Sequence, residues 1–191
     1  MTTTQDQPLR TFLAIPPDPT AREYLTIYHE RLTAQAWSEQ VRWVNPEQWH
    51  LTVRFFGNLR PTQVATLIQL LNQKLSFSAL PLTLTQPSFL PNQRQPHVIA
   101  CRVPTTEGLQ NLVNCTENCV RALGLPQEKR PFRGHITLGR LRNKATLPTS
   151  IIDIDQEQSA AWQANRLVLY QSALTPQGSY YQELAAWSLG S

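Results

Sequence analysis

Apolar residues in this chain come in short runs closed by proline or glycine, and their spacing switches between strand-like and helix-like along the sequence. Thr11-Phe-Leu-Ala-Ile15, stopped by Pro16-Pro17, predicts a buried strand. Asp18-Pro19-Thr20 opens a helix. Thr20 and Glu23 stand at capping-box spacing, Asp18 is a competing cap, and Ala21, Tyr24, Leu25, Tyr28 and Leu32 form an apolar stripe. Val41-Arg-Trp-Val44 predicts a strand, Asn45-Pro46 a turn, and Trp49 to Phe55 a further strand that Gly57-Asn58 ends. After Pro61-Thr62, the residues Val64, Leu67, Ile68, Leu71 and Leu75 recur on one face of a second helix. Pro81 to Leu90 reads as one returning strand, with Pro87, Pro91 and Pro96 marking a loop.

At His97 the plan starts again. His97-Val-Ile-Ala-Cys-Arg-Val103 is a strand closed by Pro104, as Ile15 is closed by Pro16. Thr105-Thr106-Glu107 begins a helix with Leu109, Leu112, Val113, Val120 and Leu123 on its inner face and Gly124 at its C-cap. Pro126 and Phe132 lead into a strand through His135. Strand, proline, helix and strand thus occur twice, so residues 1–191 are read as a single domain of two related halves, with repeat units of roughly 11–56 and 97–141. The tail adds strands at Ile151 to Ile154, Arg166 to Tyr170 and Tyr180 to Trp187, and a solvated loop or short helix over Asp153 to Gln158. Loose segregation of helices and strands, with hairpin-like returns, predicts an α+β fold with antiparallel sheets.

Composition narrows the partners more than the fold. A length of 191 residues suits one compact domain, or two small lobes sharing a core. Hydrophobic residues at 41% and five Trp supply a core, and 16% charged residues exclude a disordered chain. A net charge of +4 favours an anionic partner without separating nucleic acid from a small phosphate. The opening Met1-Thr-Thr-Thr-Gln-Asp-Gln7 has neither a basic nor an apolar segment, so no secretory signal is expected. No run approaches the roughly 18 apolar residues of a membrane span. Cys101, Cys115 and Cys119 are odd in number and lack paired CxxC spacing, which predicts reduced, mostly buried thiols in a cytoplasmic protein.

The candidate chemistry lies in Trp49-His50-Leu51-Thr52-Val53-Arg54-Phe55 and Arg133-Gly134-His135-Ile136-Thr137-Leu138-Gly139-Arg140. Both read His-apolar-Thr-apolar, and strand alternation sends His and Thr to one face, roughly 6–7 Å apart. One His-x-Thr arises easily by chance, and a lone strand histidine is usually structural. Two copies at equivalent places of an internal repeat carry the signal. His29 and His97 read as surface residues. No Cys or carboxylate lies beside either motif, so a zinc site is not expected, and no cofactor is. The chain has no Gly-x-Ser-x-Gly elbow, no Walker sequence and no Gly-x-Gly-x-x-Gly fingerprint. Two imidazoles with ordinary pKa about 6.5 suit a reaction at phosphorus in which one proton is removed and another given. Threonine hydroxyls suit its non-bridging oxygens.

With their flanks, Val41-Arg-Trp-Val44, Trp49 to Gly57, Arg130 to Arg140 and Leu169-Tyr-Gln-Ser-Ala-Leu174, these motifs resemble the 2H phosphoesterase superfamily, and within it the LigT-like RNA 2′,3′-cyclic phosphodiesterases, historically 2′-5′ RNA ligases. The resemblance runs from about Thr11 to Trp187. It implies a bilobal fold with a pseudo-two-fold axis, antiparallel sheets flanking a central groove and helices outside. It implies metal-independent opening of cyclic phosphate RNA ends to 2′-phosphate, with His50 and His135 catalytic and Thr52 and Thr137 on the phosphate. Phe55 and Arg140, five residues after each histidine, match positions that contact base and phosphate. By the same resemblance His135 activates water and His50 protonates the leaving 3′ oxygen, an order the residues themselves leave open. The implied partners are RNA 3′ ends with a cyclic phosphate or cyclic nucleotides, and a monomer without a membrane or obligatory protein partner. Alternatives are 2′-5′ ligation or another cyclic phosphate in the same site, and a non-catalytic RNA-binding module.

Gly134 stands where the family usually has proline. Strict alternation puts Arg54 and Arg133 on the groove face and Arg140 opposite His135, unless a bulge at Gly139 turns Arg140 inward. Arg130, Arg133, Arg140, Arg142 and Lys144 surround the second motif and suit an RNA backbone. Trp43 and Tyr170 are candidates to stack on a base, with core packing the simpler role for Trp43.

Overall fold

The computed structural model of the chain describes residues 7–76, 78–142, 159–175 and 178–190. Lys144, the strand expected at Ile151 to Ile154 and the loop over Asp153 to Gln158 lie outside them. The first half contains β1 (Leu9–Ile15), α1 (Pro19–Thr33), β2 (Val41–Trp43), β3 (Leu51–Leu59) and α2 (Pro61–Lys74). Then come β4 (Leu80–Leu84), β5 (Pro87–Leu90), β6 (Val98–Arg102), α3 (Glu107–Ala122) and β7 (His135–Leu141). The chain closes with β8 (Ala160–Ala164), β9 (Arg166–Thr175) and β10 (Gly178–Ser188).

Local chemistry corrects three expectations. Asp18, not Thr20, caps α1: its carboxylate accepts the Ala21 N–H at 2.8 Å, worth about 1 kcal/mol, and Pro19 fixes the first helical residue behind it. Gly57 does not end β3. At φ +75° it enters a bulge, with Thr11 paired to Gly57 and Phe12 to Phe55, so the strand absorbs Phe56 and continues to Leu59. Pro81 to Leu90 is two strands in different sheets. β4 pairs with β8, β5 pairs with β6, and the Thr85 N–H bonding the Arg102 carbonyl at 3.0 Å lies at the crossing. Thr106 caps α3, accepting from Leu109 N at 3.3 Å, and Gly124 follows its end at φ +67° as expected.

One eight-stranded antiparallel sheet runs in the order β10-β9-β1-β3-β7-β6-β5, with β2 also pairing β7. The pair β1–β3 in the first half is matched by β6–β7 in the second. The halves meet where β3 pairs β7 through Leu51 and Ile136, the apolar residues inside the two motifs. Those two side chains are fully buried, together with Leu13, Ile15, Leu67, Leu109, Leu112 and Leu138. Burial of each such side chain stabilises the fold by about 1.5–3 kcal/mol. α2 and α3 pack on each other and on β3, and α1 packs on β8. With the core behind the seam, the alternate residues of β3 and β7 are left to line an open groove. Among the described residues no helix is long and apolar enough to cross a membrane.

Candidate active site

Both motifs open into one groove of about 550 Å³, lined by His50, Thr52, His135 and Thr137. The same irregularity occurs in each half. Against β1, the register passes from Arg54–Leu13 to Thr52–Ala14 and skips Val53. Against β6, it passes from Gly139–Ile99 to Thr137–Ala100 and skips Leu138. Each skipped residue is the third after its motif histidine, and each is buried. A bulge reverses the alternation beyond it, so Phe55 and Arg140 both turn into the groove.

Gly139, beside the second bulge, lies under β2. A Cβ there would collide with Val41 Cγ1 and stand 2.9 Å from Trp43 Cε3. Gly134 has an equally local reason, since a Cβ would meet the Val103 carbonyl oxygen at 2.7 Å. The Val103 N–H bonds the Gly134 carbonyl at 2.9 Å, so glycine lets the end of β6 close onto the start of β7. The bulges also overturn the expected place of Arg54. It turns to the helical side, where Nε lies 2.8 Å from a Glu117 oxygen and Nη2 donates to the Pro126 carbonyl at 2.7 Å. Arg133 lends the site its carbonyl, and its side chain is not among the groove lining.

The two imidazoles are tethered alike. His50 Nδ1 bonds the Gln48 carbonyl at 2.7 Å, and His135 Nδ1 bonds the Arg133 carbonyl at 2.9 Å. A carbonyl only accepts, so Nδ1 carries the hydrogen and Nε2 is the nitrogen that titrates. Gln48 is itself held, because its side-chain amide donates to the Ser179 carbonyl on β10. Around His50 the Phe12 ring lies at 4.8 Å and Tyr181 edge-on at 5.4 Å, with Tyr170 stacked on Phe12 at 5.3 Å. Burial in this cage lowers the His50 pKa from the usual histidine range; the Gln48 bond opposes the shift, and the charges of Arg140 and His135 add to it. Arg10, Arg42 and Arg140 line the groove with no carboxylate among its described lining residues. Among the described residues there is also no cluster of three or more His, Cys, Asp or Glu fit to hold a metal.

The family model for LigT like phosphoesterase matches residues 15–100 and again 101–181. The chain belongs to this family. It is 26% identical to an RNA 2′,3′-cyclic phosphodiesterase of Archaeoglobus fulgidus over 92% of this chain and 98% of that one. It is equally 26% identical to one of Methanocaldococcus jannaschii, over 94% and 100%. Escherichia coli LigT, solved with 3′-AMP, superposes at a TM-score of 0.75 with 24% identity, covering 96% of this chain and 99% of LigT.

In this LigT-like groove several lining residues carried no sequence signal of their own. Phe12 sits in an apolar run that reads as core, and Tyr181 in a tail strand. Gln48, Arg10 and Arg42 flank motifs without belonging to them. His29 is not the surface residue its helix position predicts. It is half-buried edge-on between Trp43 and Trp49, at 5.3 and 5.4 Å, and burial lowers its pKa. Trp43 both packs there and lines the groove, whereas Tyr170 backs Phe12. Arg130 pairs with Glu128 at 3.1 Å, and His97 is exposed as expected. Cys101 and Cys119 are buried, Cys115 is partly so, and all three are free.

Proposed function

We propose that this phosphoesterase opens 2′,3′-cyclic phosphates at RNA 3′ ends, leaving a 2′-phosphate and a free 3′ hydroxyl. The observation that carries the reading is the matched tether of two histidines in one groove with two threonines. Relatives that bear the name RNA 2′,3′-cyclic phosphodiesterase support the same reaction.

His135 Nε2 takes a proton from water as the water oxygen bonds phosphorus. The P–O3′ bond breaks, and His50 Nε2 gives a proton to the departing oxygen. The hydroxyls of Thr52 and Thr137 donate to the non-bridging oxygens, most strongly as charge builds in the transition state. Phe55, 44% exposed, offers its ring to the base, and Arg140 its charge to phosphate. The lowered pKa of His50 suits the acid role: its imidazolium is the stronger donor, and the anionic cyclic phosphate favours keeping the proton on the ring until transfer. Two imidazoles with neither a carboxylate nor a thiolate among the described lining residues suit proton transfer better than chelation, so the step is assigned no metal. Each half supplies one histidine and one threonine, which makes the two lobes one catalytic unit.

The test is turnover in EDTA of an oligoribonucleotide ending in a 2′,3′-cyclic phosphate, with the product isomer read by ³¹P NMR. A 2′-phosphate alone is expected. A 3′-phosphate would overturn the assigned leaving oxygen, and unchanged RNA would overturn the activity.

A further inference from the structure

Like charges placed directly opposite each other on a sheet repel. Even so, β2 and β7 put Arg42 opposite Arg140, and both line the groove. Residues directly paired on antiparallel strands share a face, with Cβ atoms about 4.5–5.5 Å apart. Both arginines are exposed, and among the described residues no carboxylate pairs with either. The backbone fixes the juxtaposition, because Gly139 leaves room only for Val41 and Trp43 of β2, and the Val44 N–H bonds the Leu138 carbonyl at 2.8 Å. An anion between the two guanidiniums would convert repulsion into charge-assisted hydrogen bonds.

Position decides which anion. The reacting phosphate belongs among His50, Thr52, His135 and Thr137. Arg140, three residues along β7 from Thr137, lies close enough to His50 for its charge to bear on that imidazole and serves the reacting phosphate. Arg42 lies across from it on β2, outside both motifs, and its charge is left for a second phosphate. Arg10, the remaining arginine of the groove, has its guanidinium 4.8 Å from the Phe55 ring centroid and is engaged at the base end. We infer that Arg42, across from Arg140, forms a second phosphate subsite that takes the phosphate on the 5′ side of the terminal nucleotide and makes Arg42 a determinant of preference for substrates longer than a cyclic mononucleotide. This rests on the cyclic phosphodiesterase reading.

Three substrates test it: a 2′,3′-cyclic mononucleotide, the same nucleotide with a 5′-phosphate, and an oligoribonucleotide with a cyclic phosphate end. Arg42→Gln should lower kcat/KM on the oligonucleotide by about 10-fold more than on the plain mononucleotide, mainly through KM. The salt slope of log kcat/KM on the oligonucleotide should shrink by about 0.7, and Arg42→Lys should recover part of the loss. A matching loss on the 5′-phosphorylated mononucleotide assigns the subsite to any 5′ phosphate. A loss confined to the oligonucleotide assigns it to the internucleotide linkage, and both uphold the inference. Equal losses on all three substrates, or none on any, overturn it. Wild-type protein inactive on all three would remove the phosphodiesterase reading instead. The subsite would then be decided by binding to single-stranded RNA, where unchanged affinity and salt slope in Arg42→Gln would overturn it.

Discussion

The two halves use one strand plan to build unlike walls. Position by position, His50 matches His135, Thr52 matches Thr137, the bulged Val53 matches Leu138, and the inward-turned Phe55 matches Arg140. The partner directly across from each turned residue differs too: Phe12 faces Phe55, and Val98 faces Arg140. Past β1 the sheet adds β9 and β10, which bring Tyr170 and Tyr181, whereas past β6 it adds, among the described residues, only β5. The first wall is therefore aromatic and closes around His50. The second is basic, with Arg140 of β7 facing Arg42 of β2, a strand of the first half that crosses over to pair with the second. In the proposed function, duplication supplies the paired proton carriers, and the residues around them give one wall to base and the other to phosphate.

The harshest way to break this symmetry is to remove either motif histidine. His50→Ala and His135→Ala are each expected to lower kcat by about 10²–10⁴-fold with the fold intact, measured by steady-state turnover of a cyclic phosphate RNA end. Full activity in either variant would take that residue out of the mechanism. Thr52→Ala and Thr137→Ala should cost about 10- to 100-fold, because one hydroxyl remains on the phosphate oxygens. A threonine variant as inactive as the histidine variants would show that the hydroxyls do not share that task.

A smaller effect separates groove from scaffold at the first bulge. Arg54 and Phe55 are neighbours in sequence but face opposite sides of β3. The Arg54–Glu117 pair is only 15% and 18% exposed at its side chains, so Arg54→Ala should cost about 1–3 kcal/mol of stability in urea denaturation. Turnover per folded molecule should be unchanged. Lost kcat/KM without lost stability would return Arg54 to the groove.

Arg54 also shows what the sequence could and could not express. His50, Thr52, His135 and Thr137 were legible because they precede the bulges, where alternation holds from the motif histidine onward. Beyond Val53 and Leu138 the alternation reverses, so a period-two reading puts Arg54 inside and Arg140 outside. Only Gly139 hinted at the second reversal, and β3 has no glycine at its equivalent bulge. The helices were legible from their stripes and caps. β8, with the sequence Ala-Ala-Trp-Gln-Ala, was not, because its strand conformation is stabilised by its partner β4 and by burial of Trp162 rather than by local preference. Arg42 escaped for a related reason, since its partner Arg140 is remote in sequence and adjacent only across strands.

The finest probe of the two walls is pH. Burial first, then the charges of Arg140 and His135, lower the His50 pKa in the free protein. An acid must be protonated to act, so kcat/KM should fall as pH rises through that lowered value, and its alkaline limb should lie on the acid side of the usual histidine pKa of about 6.5. kcat reports the complex, where the phosphate anion favours imidazolium, so the same limb should lie at higher pH there. Phe12→Leu opens the aromatic cage to water and should move the kcat/KM limb upward by relieving desolvation. Arg140→Gln removes a positive charge and should move it the same way, but with a raised KM for phosphate that Phe12→Leu does not share. If kcat/KM instead rises with pH through the His50 pKa, and Phe12→Leu shifts that rising limb, then His50 is the base. The aromatic wall would then serve to keep its imidazole neutral, and the basic wall would carry the acid.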